Sequence, residues 1–154
     1  MGYTHYWKVS KDIPETTWKL IARDARKVMH ESSSILSSER GEKVVNASKI
    51  HFEGIGENAH ETFLLLRTQV DFDFCKTAQK PYDVVVCAVL AIAFEHAPDY
   101  IKPSSDGKCE DWQAGVDLCA SSGVKISDYT AERLRDLLGS YNPEPAIERP
   151  SNWP

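Results

Sequence analysis

The sequence predicts an α+β domain of ferredoxin-like βαββαβ topology, an antiparallel sheet carrying a C-terminal helical extension. Three observations predict it. Strand-like and helix-like hydrophobic periodicities follow one another as strand, helix, strand, strand, helix, strand, then two helices. Gly54, Gly56, Glu57 and Asn58 supply turn chemistry between the second and third strands, which therefore pair as a hairpin. With 154 residues, 42% of them hydrophobic, the chain is long and apolar enough for one packed core. A single domain is expected over residues 1–139, followed by a proline-rich extended tail, 140–154, which Trp153 would anchor.

The elements follow in order. Residues 2–9 alternate Tyr3, His5, Trp7 and Val9 against Thr4, Tyr6 and Lys8, a strand with two unlike faces. Asp12 and Glu15, with Pro14 between them, read as a capped helix start, and Trp18, Ile21, Ala25, Val28 and Met29 fall on one helical face. The serine-rich piece 32–38 and the polar run 38–43 read as a mobile linker. Strands are expected at 50–55 and 60–69, then a polar connector, then a helix opened by Pro81 that runs to about Ala97 before Pro98. Residues 99–104 form an edge strand because Pro103 has no N–H to donate. Ser104 to Gly107 make a turn, a helix with Trp112, Val116 and Cys119 inward ends at Gly123, and Ser127 caps a last helix ending at Gly139.

Composition excludes several partners. A net charge of -5 disfavours duplex nucleic acid, which is held by clustered basic residues. The longest apolar run, Val84 to Phe94, is too short for a bilayer, and the N-terminus lacks the basic and apolar regions of a secretion signal, so no membrane partner and a cytoplasmic location are expected. Cys75, Cys87, Cys109 and Cys119 show no CxxC spacing and no disulfide framework is expected; Cys87 and Cys119, on apolar helical faces, read as small buried hydrophobes. His5, Asp71, Asp73, Asp83 and Asp106 likewise complete no metal motif, so no metal is assigned. The cofactor is unknown, and a homo-oligomer is left open.

Chemistry concentrates between residues 60 and 83. Lys76, Thr77 and Lys80 precede the free N–H groups of the Pro81 helix, and with Arg67 they offer charge and directed donors to an anion. The connector has no glycine, so it is not a Walker loop. Cys75 is a candidate nucleophile if His5 and the helix N-terminus lower its pKa, although the alternation through Phe72, Asp73 and Phe74 also reads as a packed strand extension. His60, Glu61 and Thr62 form half of a two-histidine phosphoesterase motif whose second half is missing. Tyr6, Trp7, Tyr82 and Trp112 are candidates for stacking on a planar ligand, while Asp83 and Asp106 have ordinary duties at a helix start and a turn.

The expected topology gathers Thr4, His5, Arg67, the connector to Lys80 and the turn at Ser105 and Asp106 at one end of the sheet, with His60 at the other end. The blocks MGYTHYW, HETF, FCKTAQKPYD and SSDG, with Trp112 after them, resemble a family of small proteins of environmental bacteria and phages over about residues 1–120. The resemblance carries no catalytic role. It implies that His5, His60, Glu61, Cys75, Lys76, Lys80, Pro81, Tyr82, Asp83, Ser105, Asp106 and Trp112 belong to one functional unit.

The expected function is binding of a small anionic ligand, phosphorylated or nucleotide-like, with Lys76, Lys80 and Arg67 meeting its charge and Tyr6 or Trp112 its planar part. Two alternatives stand beside it. One is a hydrolase or transferase using His5 or His60 with Cys75 or a carboxylate. The other is an interaction module whose fourth strand and tail dock a partner.

Overall fold

The computed structural model describes residues 3–39 and 43–138 of the chain. The strands are β1 (Thr4–Val9), β2 (Val44–Val45), β3 (Lys49–Phe52), β4 (Phe63–Leu66), β5 (Val70–Lys76) and β6 (Ile101–Ser105). The helices are α1 (Glu15–Glu31), α2 (Asp83–His96), α3 (Gln113–Ser121) and α4 (Asp128–Leu138), with 3₁₀ turns at Gly56–Asn58 and Cys109–Trp112. The class is α+β.

The strands form two three-stranded antiparallel sheets, ordered β5-β1-β6 and β2-β3-β4. The single ferredoxin-like sheet is therefore not reproduced. The cause lies in the segment read as a connector. Its side chains alternate, with Phe72 and Phe74 exposed and Cys75 buried, so it forms β5 and takes the place beside β1. The expected hairpin does form, with Ile50 opposite Leu65 and Phe52 opposite Phe63, but it recruits β2 and makes a sheet of its own. What persists is a split β–α–β unit, in which β5 and β6 are joined through α2 and both lie antiparallel to β1 between them.

Helix α2 is buried from Val85 through Phe94 and is apolar all round, as a central helix must be. Trp7 of β1 and Phe63 of β4 approach to 5.2 Å between ring centroids, and Phe63 meets Phe52 at 4.8 Å, so both sheets share one core. Helix α1 supplies Trp18, Ile21, Ala25, Val28 and Met29 to it, the stripe its spacing requires.

Three local expectations are corrected. Asp12 does not cap α1; its carboxylate accepts the Gln69 N–H at 2.8 Å, and Pro14 precedes the first turn. The segment after α1 is not a polar linker where it is described, because Leu36 enters the core and Ser32 and Ser37 are buried. The Tyr82–Asp83 step, rather than Pro81, opens α2. Gly123 adopts φ +79° beyond α3, and Ser127 Oγ accepts the Thr130 N–H at 3.1 Å, both as expected. Gly139 and the tail 140–154 lie outside the described residues. Among those described, no helix is long and apolar enough to cross a membrane.

Candidate functional site at one end of the first sheet

The start of β1, the ends of β5 and β6 and the first turn of α2 meet at one end of the first sheet: Thr4 pairs with Lys76, and His5 pairs with both Cys75 and Ser105. The pleat then sorts these residues between two faces. His5, Cys75 and Ser105 turn inward beneath α2, whereas Tyr6, Phe74 and Lys76 turn outward.

Beneath the sheet, His5 is fully buried and both ring nitrogens are engaged. Nδ1 lies 2.8 Å from Ser105 Oγ and Nε2 lies 2.6 Å from Asp83 Oδ1. Thr77 Oγ1 donates to the same Asp83 oxygen. Cys87, one turn further along α2, brings its Sγ to 3.6 Å from His5 Nε2 and 3.8 Å from Asp83 Oδ2. Tyr3 and Trp112 stand edge-on to the imidazole at 5.2 and 5.3 Å, fixing its plane. Burial pushes the Asp83 carboxyl upward, yet the hydrogen bonds and charge from His5, with Thr77 and Cys87, outweigh it and hold the group below the usual carboxylate range. Burial pushes the Cys87 thiol well above its ordinary value, and the adjacent Asp83 charge adds to that.

Above the sheet the character differs. Tyr6 stacks on Phe72 at 5.9 Å and Phe72 meets Phe74 at 5.7 Å; the two phenylalanines are 42% and 47% exposed. Between Val70 and Asp73, β5 carries one residue more than β1 does between Trp7 and Val9, a bulge that turns Phe72 toward Tyr6. Lys8 lies directly opposite Lys102, and Lys76 is half-buried at the other end of the row.

Several expected site residues are placed elsewhere. Arg67 lies in the turn between β4 and β5, at the far end of β5 from Lys76, where its Nη1 donates to Ile13 O at 2.7 Å. That short turn sends β5 straight back along the hairpin, so Glu61 reaches Lys76: its Oε1 accepts the Lys76 N–H at 2.7 Å. His60 is exposed beside it, at the near end of the sheet and not the far one. Cys75 is packed, its thiol directed at Glu61 O at 3.4 Å and pushed up to about 12, chiefly by burial, the reverse of an activated nucleophile. Tyr82 is buried with its hydroxyl on Glu61 O, and Trp112 is buried against His5, so neither offers a stacking face.

The N–H groups of residues 77–80 and of Asp83, expected to cradle an anion before α2, are spent internally. Thr77 and Ala78 donate to Tyr3 O, Gln79 to Thr77 Oγ1, Lys80 to Thr77 O and Asp83 to Lys80 O. Ala78 and Gln79 are held at φ 52° and 56°, a left-handed pair of non-glycine residues that this bonding stabilises. Thr4 and Asp106 close the edge, with the Thr4 N–H on Asp106 Oδ2 at 3.0 Å and the Tyr6 hydroxyl on Oδ1 at 3.2 Å.

Sequence reasoning missed Lys8, Phe72, Phe74 and Lys102 on the outer face and Cys87 on the inner one. The alternation of Phe72 and Phe74 against Cys75 was the available signal for the first group. For Cys87 the signal was its position four residues after Asp83, which places both on one helical face. No family model, no curated protein and no solved structure matches the chain.

Proposed function

We propose that the outer face of the β5-β1-β6 sheet binds a nucleotide moiety, with Tyr6, Phe72 and Phe74 meeting the base and Lys8, Lys76 and Lys102 the phosphate. The observation that carries this reading is the pair of exposed, contacting phenylalanine rings, Phe72 stacked on half-buried Tyr6, flanked by lysines on one pleated face. A soluble sheet ordinarily turns polar residues to solvent, so adjacent exposed phenylalanines there are a cost that a stacking ligand offsets. Lys8 opposite Lys102 adds a like-charge pair across two strands, unfavourable until an anion sits between them. Base stacking on such a platform tolerates any sequence and needs no duplex.

The nucleotide can be free or one unit of a single strand, and titration separates the two. Fluorescence anisotropy with a labelled mononucleotide, a short single strand and a duplex is expected to rank the duplex last. Replacing Phe72 and Phe74 together by Ala is expected to weaken binding by at least about tenfold, since each stacked base contributes about 1–3 kcal/mol. Lys8→Gln or Lys102→Gln should each lower the salt slope by about 1 if a strand is bound. Affinity unchanged in the double phenylalanine variant, or no binding of any of the three probes, overturns the reading.

A further inference from the structure

We infer that His5, Asp83 and Cys87 form a binding site for a divalent transition metal ion, Zn²⁺ by the softness of the donors. The inference stands on the inner face alone and does not need the outer one. The donor atoms of these three residues lie within 4.8 Å of one another. With Zn–N and Zn–O of about 2.0 Å and Zn–S of about 2.3 Å, tetrahedral ligands stand roughly 3.3–3.6 Å apart. The His5–Cys87 and Asp83–Cys87 separations, 3.6 and 3.8 Å, are already near that spacing. The 3.8 Å separation runs from Asp83 Oδ2, whereas His5 Nε2 bonds the other oxygen, Oδ1, at 2.6 Å, so that bond has to open for Nε2 to face a cation held by Oδ2. A cation entering there displaces the proton lying between Nε2 and the carboxylate and the proton of the Cys87 thiol; the ring is left neutral with its one proton at Nδ1, and the surplus passes to solvent.

The surroundings match what a metal site requires. Asp83 and Cys87 are four residues apart on α2, so one helical turn presents both, and β1 supplies His5 across from them. The nitrogen of His5 that points away from the cluster is held by Ser105 Oγ, and Asp83 Oδ1 is held by Thr77, the outer partners that orient metal ligands. The Ser105 hydroxyl also accepts the Gly107 N–H at 2.8 Å, which fixes the oxygen while its own hydrogen rotates. With Nε2 on a cation, the neutral imidazole carries its proton at Nδ1 and donates it to Ser105 Oγ. Asp83 is 17% exposed while His5 is sealed, so the open fourth position lies toward solvent on the carboxylate side. One nitrogen, one oxygen and one sulfur donor favour Zn²⁺ over Mg²⁺ or Ca²⁺, which take oxygen.

The test uses the tag-free full chain, stripped with chelator and titrated with Zn²⁺ and Co²⁺. One equivalent per chain is expected, with a thiolate-to-Co²⁺ charge-transfer band and tetrahedral d–d absorption. Cys87→Ser should abolish the band. A triple variant, Cys75→Ser with Cys109→Ser and Cys119→Ser, should keep it, which assigns the thiolate even if Cys87→Ser folds poorly. Ser105→Ala should weaken Zn²⁺ binding by about 10- to 100-fold through loss of ligand orientation. Absence of stoichiometric uptake by the unmodified chain, or loss of the band in the triple variant, overturns the inference. Nucleotide binding measured in chelator reports on the outer face separately.

Discussion

Cys75 illustrates how little a side chain's identity says without its environment. Its neighbours Lys76, Thr77 and Lys80 suggest a reactive thiolate, and its direct strand partner is His5. Burial nevertheless keeps the thiol protonated, pushed up to about 12, and His5 bonds Ser105 and Asp83 instead. Cys119 is likewise pushed up to about 12 by burial, and Cys87 is sealed, whereas Cys109 is half-buried. Native-state alkylation followed by mass spectrometry should therefore give one fast adduct, at Cys109, and four adducts only after denaturation. Fast labelling of Cys75 would restore it as a candidate nucleophile.

Between elements, one polar contact ties the two long helices together. Asp24 of α1 is buried, with Oδ2 2.6 Å from His96 Nε2 of α2 and Oδ1 3.0 Å from Arg23 Nε. Burial alone would raise the Asp24 pKa, but the hydrogen bonds from Arg23 and His96, with their charges, hold it below the ordinary carboxylate range. A depressed folded-state pKa stabilises the fold above the unfolded value, about 3.9, and that contribution is lost as pH falls through the folded value. Thermal melts from pH 6 down to pH 3 should accordingly show a shallower decline for Asp24→Asn than for the unmodified chain. The variant should also be less stable near pH 6, by about 1–3 kcal/mol, because a charge-assisted buried bond is lost. Parallel declines in the two proteins would assign the acid sensitivity elsewhere, with Asp83 the next carboxylate to test.

At the scale of the molecule, α2 and both sheets contribute to one hydrophobic core. Trp7, Phe52, Phe63 and Leu65 from the two sheets and Val85 to Phe94 from the helix belong to one cluster. The sheets should then unfold together. Leu90→Ala, at a position with no exposure, is expected to cost about 2–5 kcal/mol and to shift a single transition seen identically by near- and far-ultraviolet circular dichroism. Two separated transitions would mean that the second sheet melts independently of the first.

Periodicity along the chain determined most of the elements: the stripe on α1, the apolar α2, the hairpin of β3 and β4, the cap at Ser127 and the turn at Gly123. Each depends on contacts within a few residues, which sequence spacing records directly. Partner choice between strands was not legible, because β5 competes with the hairpin for the edge of β1 and that contest is settled by packing far apart in the chain. The same limit governed the site. Element order gathered Thr4, His5, Thr77, Asp83, Ser105 and Asp106 to one end but wrongly put Arg67 with them and His60 apart, and the faces they occupy depend on the register of Tyr6 against Phe74 and of His5 against Cys75. Tertiary structure made that division, placing the aromatic and lysine side chains above the sheet and the histidine, carboxylate and thiol below it, because a strand exposes alternate residues to opposite sides and only pairing decides which side is core.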